Sequence, residues 1–245
     1  FQEAPSQRRH YLDHFCSQYF DDYKKTLNKY SSVLKQKNCS LKEDSINELT
    51  LSLLNKQLVD LSCDLVSFRL KGVKIIEKYF KQYLSELLQS EEDNTHIEYV
   101  ITRLSVDVFS IEAYKDTLKE QLEKDLQKEK YLGYTLSGAH KDDFKIYCNN
   151  KCLFDFFSKG INRGSAILFN ISTLEAIKEK TSKMPIILVD DAFAEIDKPN
   201  IKKIIKIVEN KTQLIYSTIS DSEIDFFSKK QEHRIKEGKI VQWET

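Results

Sequence analysis

The sequence predicts an α/β protein in which a mostly α-helical arm precedes a domain built on a parallel sheet. Three observations favour this class. Apolar residues spaced alternately three and four apart from Leu51 to Tyr79 predict a long, coiled-coil-like helix that packs along another helix. Two apolar runs, Ile186–Val189 and Leu214–Tyr216, flank a helical pattern and predict a strand–helix–strand unit. Glycine (6 residues) and proline (3 residues) are too scarce for an all-β or disordered chain.

The composition of the 245 residues excludes several classes of protein. Lys plus Arg and Asp plus Glu balance at 38 each, so any nucleic-acid contact needs a local basic patch rather than a global field. The apolar runs are far shorter than the roughly 20 residues that span a bilayer, which predicts a soluble protein with no membrane partner. The five cysteines form no CxxC pair, which is typical of reduced thiols in a cytosolic compartment.

The first 130 residues are predicted to form the helical arm. Helical periodicity covers residues 5–37 and about 46–90. Alternating apolar residues then predict a half-buried strand over 96–102, and a highly charged helix with a mostly solvated face follows at 111–130. We therefore define a predicted arm domain over residues 1–130.

From Tyr131 onwards the pattern is α/β, which predicts a second domain over residues 131–245. Its predicted elements are short strands at 144–147 and 152–157, a helix over about 162–180, a strand at 186–189, a helix over 201–208, a strand at 214–216 and a closing hairpin over 234–242 that turns at Glu237-Gly238. The β-branched run at 186–189 predicts a central strand that is covered on both faces.

Two carboxylates, Asp190 and Asp191, follow that strand at the end where open α/β sheets bind ligands. An acidic pair there suits Mg²⁺ and a water that attacks a phosphate, since one carboxylate holds the metal and its neighbour orients the water. The alternative is a strand that simply ends in a solvated acidic turn. The residues alone leave both interpretations open.

Three segments carry a resemblance to a known family. They are SGAHKDDF at Ser137–Phe144, FFSKGINRG at Phe156–Gly164 and IILVDDAFAEID at Ile186–Asp197. In this order and at these spacings they resemble the RecF family of bacterial recombination mediators, relatives of the SMC and ABC-type ATPases. PSQRRHYLD at Pro5–Asp13 and the hairpin at Arg234–Val241 resemble the same family, so the resemblance covers essentially the whole chain.

The resemblance implies a DNA replication and repair protein of the bacterial cytoplasm, acting in recombinational gap repair as part of the response to DNA damage (the SOS response). Such a protein is a DNA-binding clamp that forms an ATP-dependent homodimer, binds double-stranded DNA and single-strand/double-strand junctions, and works with mediator proteins similar to RecR and RecO. Residues 131–245 would be the C-terminal part of an ABC/SMC-type ATPase domain with weak ATPase activity.

The phosphate-binding glycine loop, which the family carries near its N-terminus, is not in this sequence, because no G-x-x-x-x-G-K-[ST] is present. We therefore expect the chain to be a piece of a longer protein and to be inactive alone as an ATPase. An edge of the sheet would then come from residues outside this sequence, which predicts exposed apolar strand surface.

By resemblance, Asp190 would hold Mg²⁺ and Asp191 would position or deprotonate the attacking water. Ser158 and Gly160 would open a helix whose N-terminus reaches the γ-phosphate of ATP on the opposite subunit, because helix N-termini attract anions. Asp197 would lie at the same interface. An ordinary helix cap is the alternative role for the Ser158–Gly160 segment.

Two features of the sequence affect the functional prediction. Ile161 stands where glutamine is usual, so ATP-driven dimerisation would be weaker, and this motivates a second hypothesis, a coiled-coil adaptor of the SMC-like class without ATPase activity. A third hypothesis, the nucleotide-binding subunit of a transporter, is disfavoured because Ser217-Thr218 stands where transporters carry a histidine.

Further functional groups are not assigned by the sequence. His140, Asp142 and Asp143 match the family motif, and both a hydrogen-bond network and contact with nucleotide or DNA remain open for them. The basic groups available for DNA phosphates form four local clusters. These are Arg8 and Arg9; Lys24 and Lys25; Lys202, Lys203 and Lys206; and Lys229, Lys230 and Arg234.

Overall fold

The computed structural model describes residues 4–43, 47–89, 94–104, 110–183, 185–190, 193, 195–209, 211–219 and 221–244. Its elements, in chain order, are α1 Pro5–Tyr19, α2 Tyr23–Ser40, α3 Glu48–Leu88, β1 Thr95–Val100, α4 Ile111–Leu132, β2 Asp143–Cys148, β3 Lys151–Cys152, α5 Leu153–Phe156, α6 Lys159–Thr181, β4 Ile186–Asp190, α7 Lys198–Val208, β5 Gln213–Ser217, α8 Asp221–Ile224, β6 Glu232–Lys236 and β7 Lys239–Glu244. The predicted α/β class is confirmed. Within these ranges, none of the helices combines the length and apolarity that crossing a bilayer requires.

Helix α3 is the predicted long helix and the central element of the arm. It is 41 residues long, and Asn47 caps its start by accepting a hydrogen bond from the Thr50 N–H at 3.0 Å. It packs on α2, α4 and α6, and α1 approaches it at Gly72. A Cβ at Gly72 would lie 2.8 Å from the Cys16 Sγ, so glycine permits this close approach.

The helical pattern over residues 5–37 forms two helices, so the prediction of one continuous segment is wrong at 20–22. Phe20 is extended (φ −110°, ψ 121°) and ends α1. Its ring packs on Phe68 of α3, with centroids 5.2 Å apart. Packing against α3 therefore interrupts a segment that local periodicity would continue.

The described strands form three small sheets. Strands β1, β2 and β3 are antiparallel neighbours, β4 pairs with β5 in parallel with Leu188 opposite Ile215, and β6 pairs with β7. The strand–helix–strand unit and the closing hairpin are thus confirmed. The strand predicted at 152–157 is wrong, because only Lys151–Cys152 pairs with β2 and the chain then turns into α5.

The parallel pair has one packed face and one bare face. Ile187, Val189, Leu214 and Tyr216 are half-buried, whereas Ile186, Leu188 and Ile215 are exposed by 57%, 74% and 53%. The prediction of a strand covered on both faces is therefore wrong for the described chain, since the helices cover one face only. The prediction of exposed apolar strand surface is confirmed.

Contacts cross the predicted boundary between residues 130 and 131. Strand β1 lies in the predicted arm, yet all six of its residues pair with β2 beyond the boundary. The charged helix α4 also contributes buried groups: Glu129 pairs with Lys37 at 2.7 Å, with both side chains fully buried, and accepts from the Leu136 N–H at 2.7 Å. The division at 130/131 stays a prediction, but the two parts share one core.

Arg69 of α3 lies at the centre of this shared core and is 2% exposed. Its Nε and Nη2 donate to the two carboxylate oxygens of Asp13 on α1 at 2.8 and 3.0 Å. Its Nη1 donates to the Ala139 carbonyl at 2.6 Å and to the Tyr99 hydroxyl at 3.2 Å. One guanidinium therefore joins α1, α3, β1 and the turn that precedes β2.

Replacing Arg69 by alanine should lower the free energy of unfolding by about 3–5 kcal/mol, because Asp13 and the Ala139 carbonyl lose a buried partner. Urea unfolding followed by circular dichroism measures this. The control is Lys78→Ala, which breaks the exposed pair with Glu179 at 3.1 Å and should cost at most about 1 kcal/mol. Equal unfolding midpoints for the two variants would contradict a central role for Arg69.

Candidate functional site

The SGAHKDDF motif lies in the interior, next to Arg69. Asp142 is 1% exposed and accepts hydrogen bonds from the Tyr99 hydroxyl at 2.9 Å and the Thr102 N–H at 3.2 Å. Arg9 donates to the Asp142 carbonyl at 2.6 Å, and Arg8 forms a two-pronged pair with Asp143 at 2.9 and 2.6 Å. The motif is therefore a hydrogen-bond network, and it engages Arg8 and Arg9 of the first candidate DNA cluster.

Burial shifts the pKa values of two groups in this motif. Burial raises the pKa of Asp142 to about 6, against the opposing charge of Arg69. Burial also lowers the pKa of His140 to about 4. The His140 Nδ1 lies 2.7 Å from the Tyr30 hydroxyl and its Nε2 lies 3.2 Å from the Thr135 carbonyl, so a neutral ring satisfies both partners. His140 is thus an uncharged structural group at neutral pH.

Asp190, the predicted metal ligand, ends β4 at the carboxyl edge of the parallel pair. It is exposed and lies in register with Ser217, the last residue of β5, whose Oγ donates to its Oδ1. This places a carboxylate and a hydroxyl side by side at the edge where such sheets bind ligands. Asp191, the predicted catalytic residue, lies outside the described residues.

The segment after the acidic pair is anchored by two buried side chains. Phe193 and Ile196 are 3% and 7% exposed, and the Ile196 N–H donates to the Phe193 carbonyl at 3.0 Å. Between them Glu195 has φ +69°, a left-handed conformation that is uncommon for residues other than glycine. The segment then ends at Asp197, where α7 begins.

Ser158 and Asp197, both predicted to bind nucleotide, are the N-caps of α6 and α7. The Ser158 Oγ accepts from the Ile161 N–H at 3.3 Å, and Asp197 accepts from the Asn200 N–H at 2.9 Å. Both caps are exposed. The capping role that the sequence offered as an alternative for Ser158 is therefore present, and it leaves each side chain at the surface.

Gly160 brings the start of α6 against the segment that follows the acidic strand. A Cβ on Gly160 would lie 2.9 Å from the Glu195 carbonyl oxygen and 3.6 Å from the Ile196 Cα. On the next turn Arg163 pairs with Glu195 at 3.3 Å. The helix start and the Glu195–Asp197 segment thus form one packed unit, and glycine is the residue that allows it.

The predicted site residues therefore fall into two groups. Gly160 and the segment ending at Asp197 are in contact, whereas Asp190 is hydrogen-bonded to Ser217 and makes no hydrogen bond or ion pair to the start of α6 in the described part of the chain. Sequence reasoning missed Arg69, since no local pattern marks a buried arginine. The SGAHKDDF motif contains one of its partners, Ala139.

Metal ligands are few among the described residues, in which no group of three or more His, Cys, Asp or Glu side chains is placed to hold an ion. Asp190 and Ser217 supply oxygen donors only. Mg²⁺ prefers oxygen and is usually held by one or two carboxylates together with waters and substrate phosphates. This donor set fits Mg²⁺ bound along with a phosphorylated ligand better than a metal bound by protein alone.

Comparisons with known proteins give a consistent picture. None of the protein-family models matches the chain. The DNA replication and repair protein RecF of Ligilactobacillus salivarius is 31% identical over 245 residues, which cover 98% of this chain and 64% of the relative. The protein of the same name from Oenococcus oeni is 30% identical over 247 residues, which cover 97% and 66%. The chain thus spans about two thirds of the length of these relatives.

Two solved structures of the recombination mediator protein RecF in the RecFOR pathway are similar to this structure. The RecF-ATPrS structure has a TM-score of 0.79 and 25% identity, covering 97% of this chain and 63% of that chain. The RecF-ATP structure has a TM-score of 0.80 and 24% identity, covering 99% and 64%, and supports the fold.

The contact at Gly160 is testable. Gly160→Ala should lower the free energy of unfolding by about 1–3 kcal/mol, because the new methyl group meets backbone atoms that cannot move aside without shifting α6. Gly164→Ala on the same helix is the control, since its Cβ would meet only side-chain tips, Ile204 Cδ1 at 3.1 Å and Leu87 Cδ2 at 3.2 Å. A larger loss of stability in the control, measured by urea unfolding, would contradict the packing argument.

Proposed function

The chain belongs to the RecF family, and we propose that it forms part of an ATP-gated, DNA-binding clamp that acts in recombinational DNA repair. The observation that carries this proposal is the packed unit at Gly160. It joins the start of a 23-residue helix to the segment between the acidic strand end and Asp197. A helix start and an acidic strand end are the two elements that a phosphate and its metal require.

We assign the nucleotide to the surface formed by the start of α6 and the segment ending at Asp197. In the described part of the chain, the N–H groups of Lys159 and Gly160 make no hydrogen bond, so both are available to an anion. Ser158 is exposed beside them. Lys159 is also exposed and Gly160 is half-buried. The family resemblance supports a phosphate that is presented by a second copy of the protein. ATP between two copies would then stabilise the homodimer.

Asp190 is our candidate Mg²⁺ ligand, with its carboxylate held by the Ser217 hydroxyl. Bound Mg²⁺ would neutralise charge on the phosphates. We assign to Asp191 the role of positioning or deprotonating the attacking water, which rests on the family motif. The division into an arm over residues 1–130 and an ATPase part over residues 131–245 belongs to the same proposal, with the Arg69 network joining the two parts.

We propose that the protein binds double-stranded DNA, including single-strand/double-strand junctions. Its proposed protein partners are mediators similar to RecO and RecR. Two comparisons support this assignment. The sequence relative is named a DNA replication and repair protein, and the similar solved structure is described as part of the RecFOR pathway. The alternative, an adaptor without ATPase activity, is favoured by one observation: Ile161 packs half-buried against the core and offers no polar group to a phosphate. Measured ATP hydrolysis separates the two.

Asp191→Asn in the protein at its natural length should leave ATP binding intact, lower hydrolysis by at least about 10²-fold and lengthen the life of ATP-dependent dimers, since a positioned base is lost. Phosphate release and size-exclusion chromatography measure these effects. The matched control is Asp21→Asn, on a side chain that is 97% exposed. Hydrolysis and dimer lifetime equal to wild type would refute the role of Asp191, and a wild type without ATPase activity would favour the adaptor.

Substitutions at Ser158 separate its role as a helix cap from its proposed role in phosphate binding, because aspartate is as good an N-cap as serine. Ser158→Asp should keep the stability within about 0.5 kcal/mol of wild type yet weaken ATP-dependent dimerisation at least about tenfold, since a carboxylate repels the phosphate. Ser158→Ala should instead lose about 1 kcal/mol of stability. Undiminished dimerisation of the aspartate variant, measured by analytical ultracentrifugation with ATP, would leave Ser158 as a cap only.

A further inference from the structure

Helix α7 has two chemically opposite sides. Its apolar side consists of five residues that are at most 5% exposed: Ile201, Ile204, Ile205, Ile207 and Val208. Its other side carries Lys198, Lys202 and Lys206, all exposed and spaced four residues apart. Steps of four residues advance about 6 Å along a helix, so the three lysines form a row over three consecutive turns. We call this row the lysine ridge.

The lysine ridge carries positive charge that forms no ion pair among the described residues. Between Lys198 and Val208 the helix contains no acidic residue, and none of the three ridge lysines forms an ion pair with any residue the structure describes. The fourth lysine of the helix, Lys203, points elsewhere and donates to the Leu87 carbonyl at 2.8 Å. Folding therefore uses one lysine of this helix and leaves three for an external anion.

A tertiary contact extends the ridge beyond the end of α7. The Glu209 carboxylate accepts hydrogen bonds from the Ser228 hydroxyl at 2.6 Å and from the Lys229 N–H at 3.1 Å. This places the exposed Lys229 at the C-terminal end of the helix. Part of a second basic cluster, separate in the sequence, therefore lies next to the C-terminal end of the lysine ridge.

The other lysine-bearing helices are less suitable. On α4, acidic residues alternate with the lysines, and Lys115 and Lys124 pair with Asp60 and Glu120 at 2.8 and 3.4 Å. On α2, Lys24, Lys25 and Lys29 are exposed, Asp21 and Asp22 directly precede them, and only Lys25 and Lys29 are four residues apart. On α7 the preceding carboxylate, Asp197, accepts from the Asn200 N–H and side-chain amide, and the three exposed lysines form a single row four residues apart.

We propose that the lysine ridge, with Lys229 at its end, binds the phosphate backbone of double-stranded DNA. A row of unpaired lysines on a rigid helix recognises regularly spaced negative charge without reading bases. The proposal rests on the proposed DNA-binding function and adds the surface that performs it. Because α7 begins at Asp197, it also places the DNA contact on the element that follows the proposed nucleotide segment.

The test compares two triple variants of the protein at its natural length: Lys198→Gln/Lys202→Gln/Lys206→Gln on the ridge, and Lys24→Gln/Lys25→Gln/Lys29→Gln on α2. Each removes three charges from exposed sites. Fluorescence anisotropy with a 30-base-pair duplex and ATP measures affinity over a series of salt concentrations. The ridge variant should bind about tenfold or more weakly, and its salt slope should fall by about 2.7, or 0.9 per phosphate contact. The α2 variant should bind within about twofold of wild type.

Each other outcome has a defined meaning. A ridge variant that binds DNA as wild type does, or an α2 variant that loses as much affinity, overturns the proposal while the DNA-binding function stands. A wild type that fails to bind DNA refutes the proposed function itself. Retained DNA binding together with lost binding to a poly-glutamate peptide would assign the ridge to an acidic protein and overturn the proposal. Restoration of DNA binding by arginine at all three ridge positions would support it.

Discussion

The buried pair between Arg69 and Asp13 is the interaction on which the rest of the structure depends. A guanidinium at 2% exposure is tolerated only if its donors have partners, and the partners here come from α1, α2, β1 and the turn before β2. Tyr99 passes the network on to Asp142, which binds the backbone after β1 and lies beside the pair that Arg8 forms with Asp143. The need to satisfy one buried charge therefore fixes α1 and β1 relative to the α/β part.

The candidate site is built on this fixed frame by close backbone packing, with the Arg163–Glu195 ion pair beside it. The start of α6 lies against the Glu195–Asp197 segment because Gly160 has no side chain, and the two helix caps remain exposed on either side. Ser158 and Asp197 thus perform a structural task and still face solvent. A cap and a ligand-binding group are not exclusive roles, which explains why the motif alone left both open.

The two faces of the parallel pair β4–β5 differ in burial. Its inner face packs on the core, whereas the outer face leaves Ile186, Leu188 and Ile215 more than half exposed. Strands with one bare apolar face gain only part of the burial that a central strand gains. The buried core on which this inner face packs is formed mainly by helices, with α3 contributing the most residues, and β1 and β2 also belong to it.

The sequence by itself determined the elements that depend on local periodicity and turn chemistry. The long helix from Glu48, the strand–helix–strand unit around α7 and the hairpin at Glu237-Gly238 were predicted because each repeats a pattern over neighbouring residues. The break at Phe20 was not, because it arises from packing on a helix almost 50 residues away in the chain.

For the site, the motifs identified Ser158, Gly160 and Asp190 as residues of interest, but only the tertiary structure decided their neighbours. It showed that Gly160 meets the backbone of Glu195, and that the SGAHKDDF motif serves the core, because Arg69 donates to the Ala139 carbonyl and Tyr99 donates to Asp142. Long-range contacts such as these depend on how elements pack in space, which no local pattern encodes. The sequence therefore determined which residues could act, and the fold determined which of them the interior uses and which remain free at the surface.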